Sequence, residues 1–215
     1  MPLRNLPRAT SIPLNIKLKL INNLFSVKEI IKHKNKISKS KLKSFYESLD
    51  YDIKNTTNGK LIKNYLSSNQ ITVGKKYIDF EAIDLNGKKI KLSNYEGKII
   101  LLDFWAYWCT ICHVQNEQEF SYLNNKYKND LVIISYSLDE EYDIWKKSTK
   151  KDSYKWTNLS NLMGMKDPLA FMYKVKNLPH SFLINQKGIV LKEFIGYKKD
   201  SIIEKELKKL IYKNN

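Results

Sequence analysis

The stretch Asp103-Phe-Trp-Ala-Tyr-Trp-Cys-Thr-Ile-Cys112 holds both cysteines of this 215-residue chain. The apolar run Ile99-Ile-Leu-Leu102 precedes it and predicts a buried strand, whereas the amphipathic segment over 110–127 that follows predicts a helix. The first N–H groups of a helix lack intrahelical partners and carry partial positive charge, and both properties favour a thiolate over a thiol. The position of Cys109 and Cys112 therefore indicates a reactive pair suited to redox chemistry.

The chain is strongly basic, with 38 lysine and arginine residues against 22 aspartate and glutamate residues and a formal net charge of +16. Only Arg4 and Arg8 are arginines, and the lysines are spread along the chain rather than gathered in one patch. Because nucleic-acid sites favour the planar guanidinium of arginine, we expect no nucleic-acid partner. Attraction to acidic partners or to an anionic membrane surface is retained as an option.

Neither a membrane span nor a signal peptide is visible in the sequence. No apolar run is long enough to cross a bilayer, and charged residues interrupt the first part of the chain, where a secretory signal needs a continuous apolar core. These charges are Arg4, Arg8, Lys17, Lys19 and Lys28. We expect a chain that begins in cytosolic or mature form, or one that lacks its native beginning.

Composition divides the chain into two predicted domains. Residues 1–70 are rich in lysine and asparagine, and their apolar spacing predicts helices over 16–37, over 42–49 and over 61–66, the last one after the Asn58-Gly59 break. Residues 71–215 alternate strands with helices. That alternation predicts an α/β domain in which a mixed central sheet is flanked by helices.

Two hairpins enclose the central part of the second predicted domain. Asn86-Gly87 joins predicted strands over 80–85 and 88–92, and Lys187-Gly188 joins strands over 181–184 and 189–195. Between the hairpins we predict strands over 98–105 and 131–138 and a helix over 140–150. Residues 151–178 are less regular, with a short helix near 169–173, and a helix over 200–212 ends the domain.

Two other chemistries compete for the cysteine pair. Cys109-Thr-Ile-Cys-His113 matches the pattern of covalent haem attachment, but it follows a predicted buried strand and two tryptophans, which disfavours haem. Structural zinc needs four ligands, whereas the chain offers no second cysteine pair and only His33 and His180 as further histidines. We therefore expect no metal site.

From about Ile71 to its end, the chain resembles the thioredoxin-fold thiol–disulfide oxidoreductases of the TlpA/ResA-like, AhpC/TSA-related group. The resemblance rests on residues 103–112, on the upstream Asn86-Gly87 hairpin and on the downstream stretch Leu178-Pro-His-Ser-Phe-Leu-Ile184. In the first domain, residues 44–50 and 59–65 resemble the helical segment that precedes this domain in Bacteroidetes-type members. The implied architecture is a thioredoxin-like fold with a helical N-terminal extension.

The resemblance implies catalytic roles for three residues. Cys109 is the exposed nucleophile that attacks a substrate disulfide, and Cys112, one turn later, resolves the mixed disulfide. The cycle leaves a redox-active Cys109–Cys112 disulfide and needs no other cofactor. Asp103 is implied to be a buried acid that accepts the Cys112 proton, the alternative being a strand-end carboxylate that faces water. Gln115 stands where members of the group often have glutamate, so we expect Asp103 to be the only nearby acid–base group.

A substrate-binding edge is implied by the same resemblance and consists of Trp108, Leu178 and Pro179. Pro179 is implied to follow a cis peptide bond, and the Leu178 backbone to pair with an extended substrate segment. Trp108 is expected to offer an apolar contact. Trp105 is assigned either to the core or to the site, and His180 either tunes the site or lies at the surface.

These residues predict a thiol–disulfide oxidoreductase that reduces protein disulfides. By resemblance, it would act in the cell envelope as a monomer and draw electrons from a membrane thiol donor. Two alternatives stay open. One is a peroxiredoxin-like antioxidant, which the tryptophans beside the cysteines disfavour, because that branch places its reactive cysteine after threonine and proline. The other is a non-catalytic thioredoxin-fold binding module that docks a partner through residues 1–70.

Overall fold

A computed structural model describes residues 38–67, 70–151, 154–197 and 201–212. The chain divides into two compact units, one within residues 1–68 and the other within residues 69–215. The predicted helix over 16–37 lies outside the described residues, so the assignment of the whole of residues 1–70 to one helical domain stays a prediction.

Three helices make up the described part of the first unit: α1 (Lys39–Ser48), α2 (Tyr51–Asn55) and α3 (Thr57–Leu66). The Ser38 hydroxyl accepts the Lys41 backbone N–H and so caps α1, whose Leu42 and Phe45 are buried. The sequence predicts that this third helix begins after the Asn58-Gly59 pair. In the structure, α3 begins before that pair, at Thr57. The reason is a cap at Thr56, whose side chain accepts the Gly59 backbone N–H and places that glycine in the first helical turn.

The second unit is built on one seven-stranded sheet with the order β2-β1-β5-β4-β3-β6-β7. Its strands are β1 (Glu81–Asp84), β2 (Lys89–Lys91), β3 (Ile99–Trp105), β4 (Leu131–Ser137), β5 (Thr157–Ser160), β6 (His180–Ile184) and β7 (Val190–Ile195). Strands β3, β4 and β5 pair in parallel, whereas both hairpins pair antiparallel. The predicted mixed sheet and its two hairpins are confirmed.

Strand β5 is the element that the sequence did not predict. Its residues, Thr157-Asn-Leu-Ser160, show neither an apolar run nor a clear alternation of apolar and polar side chains. The strand exists because it fills a gap in the sheet: it pairs with β4 on one side and with β1 on the other. Pairing on both edges satisfies its backbone polar groups, which local composition alone could not reveal.

Helices flank the sheet: α4 (Thr110–Gln115), α5 (Ser121–Lys126), α6 (Tyr142–Lys151), α7 (Pro168–Met172) and α8 (Ile202–Tyr212), together with two short 3₁₀ turns at Leu92–Tyr95 and Gly164–Lys166. The predicted helix over 110–127 is therefore interrupted. A π-helical turn, Asn116–Phe120, joins α4 to α5, and the Ser121 backbone N–H bonds the Asn116 carbonyl across it. Within the described ranges, no helix is both long and apolar enough to cross a membrane.

All seven residues of β3 are buried, and their side chains alternate between the two faces of the sheet, so that each face has its own part of the core. Ile99 and Leu101 belong to a cluster with Phe120 and Leu123, next to the cysteine-bearing helix; its other members include Leu131, Ile133, Leu183, Ile203 and Leu207. Phe104 lies on the opposite face of β3, where its ring packs against Tyr136, Tyr173 and Phe182. Asp103 has the parity of Leu101 and Trp105, so it points towards the cysteine-bearing helix.

Candidate active site

The two cysteines form a disulfide at the N-terminus of α4. The S–S distance is 1.98 Å and the two Cα atoms are 5.3 Å apart. Cys109 is the N-cap residue of the helix, and its Sγ accepts the Cys112 backbone N–H at 3.3 Å. Both side chains are largely covered, with exposed fractions of 6% for Cys109 and 1% for Cys112. Cys109 is therefore not the exposed residue that the resemblance implies, but it is the less buried of the two cysteines, and its sulfur accepts a helical N–H group.

The backbone just before Cys109 is held by two side chains that sequence reasoning did not single out as site residues. The Tyr107 N–H donates to Asp139 at 3.0 Å, and His113 Nε2 lies 2.8 Å from the Tyr107 carbonyl oxygen. Since a carbonyl only accepts, Nε2 of His113 is the protonated nitrogen. Burial raises the pKa of Asp139 above its usual value, and the hydrogen bonds from Ser137 and Tyr107 offset only part of that rise. Asp139 follows β4 directly, and its proximity to the cysteine loop could be known only from the parallel pairing of β4 with β3.

The two tryptophans of the motif have different environments. Trp105 is fully buried and packs with both cysteines and with Trp145, so it is a core residue. Trp108 is 54% exposed, and two neighbours are comparably open, with exposed fractions of 46% for Tyr107 and 45% for Ile111. An exposed apolar rim therefore borders the disulfide.

The Leu178–Pro179 peptide bond is cis, as the resemblance implies. Leu178 is partly buried and packs against the cluster that contains Trp105, Cys109 and Cys112. Pro179 is buried, and its carbonyl accepts the Gly196 backbone N–H at 2.9 Å. All three members of the predicted substrate-binding edge thus lie at or near the disulfide, while their role towards a substrate stays a prediction.

His180 is buried, with an exposed fraction of 1%, which excludes the alternative that it lies at the surface. It is the first residue of β6, and its ring stacks on Phe182 with Nε2 2.8 Å from Glu193 Oε1. Burial lowers the pKa of His180, and the Glu193 carboxylate opposes that shift. The ring is covered because it packs against Phe182 on the same strand and Glu193 on the neighbouring strand β7.

Asp103 is a buried carboxyl, which excludes the alternative of a strand-end group facing water. Its Oδ1 accepts the Ser181 hydroxyl at 2.8 Å, and its Oδ2 has no hydrogen-bond partner among the described residues. Burial raises the pKa of Asp103 to about 7, with the Ser181 hydrogen bond lowering it and the negative charge of Glu119 raising it. A group with this pKa can both accept and release a proton near neutral pH.

A second buried acid, Glu119, corrects the expectation that Asp103 is the only acid–base group near the cysteines. Gln115 Nε2 donates to Glu119 Oε2 at 2.9 Å, and both side chains are buried. Burial raises the pKa of Glu119, whereas the hydrogen bond from Gln115 lowers it. The sequence signal was available, because Gln115 and Glu119 follow Cys112 at the spacing of one helix face, but the π-helical turn made their burial hard to foresee.

Across the described residues, no group of three or more histidine, cysteine, aspartate or glutamate side chains could hold a metal ion. The site itself combines a cysteine pair at a helix start, a buried acid on the adjoining strand and an exposed apolar rim. A site of this kind can exchange a disulfide with a partner without any bound cofactor.

Comparison with known proteins agrees with this geometry. The AhpC/TSA family model matches residues 73–193. The thiol-disulfide oxidoreductase ResA of Bacillus thuringiensis is 34% identical over 157 residues, which cover 68% of this chain and 83% of that protein.

Solved structures show the same fold. A thiol-disulfide oxidoreductase from Bacteroides fragilis superposes with a TM-score of 0.57 at 25% identity, covering 62% of this chain and 98% of that one. The thioredoxin domain of a thiol-disulfide oxidoreductase from Bacteroides vulgatus gives a TM-score of 0.58 at 21% identity, covering 66% of this chain and 99% of that one. The chain thus belongs to the AhpC/TSA family, as a ResA-like thiol–disulfide oxidoreductase with the thioredoxin fold, and the redox-active disulfide that such proteins use in place of a cofactor is present as Cys109–Cys112.

Proposed function

We propose that this protein reduces disulfide bonds in protein substrates, with Cys109 as the nucleophile and Cys112 as the resolving cysteine. One observation carries the assignment: Cys109 caps α4, its Sγ accepts a helical N–H, and it is the less buried of the two sulfurs. A backbone N–H bond and the helix dipole both stabilise a thiolate, and the thiolate is the attacking species.

The reaction moves two electrons from the cysteine pair to the substrate. In the reduced enzyme, the Cys109 thiolate attacks one sulfur of the substrate disulfide, and the other substrate sulfur leaves as a thiolate and takes up a proton. The Cys112 thiol then loses its proton to Asp103 and attacks Cys109 Sγ. That step forms the Cys109–Cys112 disulfide and releases the second substrate sulfur. A thiol donor returns the enzyme to its reduced form.

Substrate binding is assigned to the exposed rim and to the cis-proline segment. Trp108 offers an open apolar surface beside the disulfide. Leu178 packs against the cysteine cluster, so an extended substrate segment pairing with its backbone would pass over the sulfur atoms. Pro179 keeps that segment next to the disulfide, and its own carbonyl is used by Gly196 within the sheet.

Location and partners are also proposals. The similarity to ResA supports a role in the cell envelope, with a membrane-bound thiol as the electron donor. The net charge of +16 would favour residence near an anionic membrane surface. We propose that the protein acts as a monomer on disulfide-bearing proteins.

The assignment is tested by the reduction of insulin disulfides with dithiothreitol as the donor, using the wild type, Cys109→Ser and Cys112→Ser. We expect Cys109→Ser to lose at least about 100-fold in rate, since removing a nucleophile leaves only the uncatalysed reaction. Cys112→Ser should instead accumulate a mixed disulfide that mass spectrometry detects. Equal rates for Cys109→Ser and wild type would refute catalysis and favour a binding module.

The direction of electron flow is measured separately by redox titration of the cysteine pair. A midpoint near about −270 mV would support a reductant, and one near about −120 mV an oxidant. Consumption of hydrogen peroxide at a rate above that of dithiothreitol alone would point to the peroxiredoxin-like alternative, and we expect none.

A further inference from the structure

Three buried polar residues lie between the two apolar clusters that join β3 to the cysteine-bearing helix. Leu101 contacts the cluster of Phe120 and Leu123, and Trp105 contacts the cluster of the cysteines. Asp103 stands between Leu101 and Trp105 with the same parity, so it faces the helix between Cys112 and Phe120. The buried polar residues of that stretch include Gln115 and Glu119. We call Asp103, Gln115 and Glu119 the polar layer.

Within the described residues, each member of the polar layer has an oxygen without a hydrogen-bond partner: Asp103 Oδ2, Gln115 Oε1 and Glu119 Oε1. A buried polar atom left unpaired destabilises the folded protein, so three such oxygens in one layer indicate groups that are kept for their chemistry. Two carboxyl groups in one covered space also repel each other when both are ionised. Protonation of one of them removes that repulsion, and the resulting O–H group can donate to a neighbouring oxygen.

The surroundings of Glu119 give it access to solvent that Asp103 lacks. Glu119 lines a surface pocket of about 190 Å³ together with Tyr122, Tyr197 and Glu204. Asp103, in contrast, is 1% exposed. With an exposed fraction of 7%, Glu119 is therefore the member of the polar layer nearest to solvent.

The charged groups around Glu119 lie on β3, α8 and α5, the last of which carries Lys126. Asp103 lies on β3, within range of the negative charge of Glu119. Glu204 approaches from α8, where the ammonium groups of Lys126 and Lys208 offset its charge at 2.9 Å and 3.4 Å. The remaining titratable groups at Glu204 are Tyr122 and Tyr127, which both donate to its carboxylate. Lys126 and Lys208 compensate the charge of Glu204. Among the described residues no ion pair is found for Asp103, so the negative charge of Glu119 acts on Asp103 without compensation.

We propose that Glu119 is a positioning residue that controls the charge of Asp103 and so determines when Asp103 can accept the Cys112 proton. This inference rests on the proposed function, in which Asp103 is that proton acceptor. While Glu119 is ionised, its negative charge opposes ionisation of Asp103, and Asp103 stays protonated to a higher pH. Because only an ionised Asp103 can accept a proton, resolution by Cys112 then becomes fast at a higher pH than it would without Glu119.

The test measures both half-reactions between pH 5 and pH 9. Reduced enzyme is mixed with an aromatic disulfide whose thiol product absorbs light, so that attack by Cys109 and resolution by Cys112 each release one equivalent. In Glu119→Gln, we expect the midpoint of the resolution rate to move down by at least about half a pH unit, with the attack step unshifted. The matched control is Glu117→Gln, which removes an exposed charge from the same π-helical turn and should match the wild type.

Asp103→Asn separates this proposal from the one on which it rests. If Asp103→Asn abolishes the pH dependence of resolution and Glu119→Gln shifts it, both ideas are supported. If Asp103→Asn abolishes it but Glu119→Gln behaves like Glu117→Gln, the role of Glu119 is refuted while the proposed function stands. If Asp103→Asn keeps the wild-type profile, Asp103 is not the acceptor and both ideas fail. Should Glu119→Gln not fold, Glu119→Asp replaces it as the test. Because this variant keeps the negative charge, its resolution rate should have the wild-type midpoint. A midpoint lowered by about half a pH unit or more would refute the proposal.

Discussion

Asp103 shows how one side chain can oppose the stability of the core that surrounds it. It occupies a strand position that otherwise suits an apolar residue, and among the described residues its carboxyl accepts one hydrogen bond, from the Ser181 hydroxyl on the neighbouring strand. Burial penalises the ionised carboxylate more than this one hydrogen bond repays. Such a group is retained against stability, which is the pattern expected where a titratable group takes part in chemistry.

The first prediction concerns the pH dependence that Asp103 gives to stability. With a pKa of about 7 in the folded state against 3.8 as the reference, the folded protein binds more protons than the unfolded chain between these values. For this group, stability is therefore highest below about pH 4, falls as the pH rises from about 4 through about 7, by about 4 kcal/mol in total, and levels off above that. Asp103→Asn should remove this dependence and stabilise the protein at pH 8.

Urea unfolding at pH 6 and pH 8 measures this effect. We expect Asp103→Asn to gain about 2 kcal/mol at pH 8, less than the full amount because the amide brings a buried N–H₂ group that lacks a partner. Asp130→Asn, which alters an exposed acid, serves as the control and should change little. A wild-type stability that does not fall between pH 6 and pH 8, with no gain in Asp103→Asn, would contradict the assignment.

At the scale of elements, two hairpins with similar turns differ in what surrounds their glycines. Gly87 and Gly188 have φ values of +77° and +76°, in the left-handed region that favours glycine. A Cβ atom at Gly87 would meet nothing within 4 Å, whereas one at Gly188 would lie 2.8 Å from the Tyr77 ring. The two positions therefore separate backbone strain from a steric clash.

The second prediction compares Gly87→Ala with Gly188→Ala. Both should lose about 1 kcal/mol from the left-handed backbone, and Gly188→Ala should lose about 1–2 kcal/mol more, because the Tyr77 ring must move. Thermal or urea unfolding of the two variants side by side measures the difference. Equal losses would mean that the Tyr77 ring adapts without cost.

Helix α8 is joined to the end of α5 by one carboxylate. Glu204 accepts from Lys126 Nζ at 2.9 Å and from the Tyr127 hydroxyl at 2.7 Å. Burial alone would raise the pKa of Glu204, but hydrogen bonds from Lys126, Tyr127, Lys208 and Tyr122 outweigh it and lower the pKa to about 2. The lowered pKa means that the ionised form is the one that holds these two helices together.

The third prediction is that Glu204→Gln destabilises the protein at pH 7 but not near pH 2. A carboxylate with a lowered folded pKa stabilises above its unfolded pKa, and that contribution disappears as pH falls through the folded value of about 2. Losing hydrogen bonds to a charged group should cost about 2 kcal/mol at pH 7.

Glu206→Gln is the matched control for this measurement, because Glu206 lies on the same helix and its ion pair with Lys209 is more open to water. Urea unfolding at pH 7 should show less than half the loss seen for Glu204→Gln. A Glu204→Gln loss that persists unchanged at pH 2 would show that shape, and not charge, is what matters at this position.

At the scale of the whole molecule, the excess of positive charge opposes folding. A formal charge of +16 on one chain produces repulsion that a compact state concentrates and that salt screens over a Debye length of about 10 Å at 0.1 M. None of the lysine side chains that the structure describes is buried, and several lie beside an aromatic ring or a single carboxylate.

The fourth prediction is that salt stabilises the protein. Raising sodium chloride from about 20 mM to about 200 mM should increase the free energy of unfolding by about 1 kcal/mol, because screening weakens the repulsion in the compact state. A variant with three exposed lysines replaced, Lys128→Gln, Lys155→Gln and Lys176→Gln, should show a smaller increase. An equal increase in both proteins would assign the effect to something other than net charge.

The sequence alone was enough for the parts of this protein that depend on local pattern. The apolar run of β3, the two glycine hairpins and the cysteine spacing at the start of α4 were all readable, because strand, turn and helix preferences act between neighbours in the chain. The family followed from the same stretches. The covered state of Asp103 could be anticipated in outline from its place inside an apolar strand.

Tertiary structure alone decided which polar groups are buried and which segments pair. Strand β5 forms because β4 and β1 stand on either side of it, and His180 is buried because its ring meets Glu193 on the neighbouring strand and Phe182 on its own. Glu119 is buried because the helical segment that carries it packs against β3 through Phe120 and Leu123. In each case the free energy comes from contacts between residues that are distant in the chain, and no local pattern carries that information.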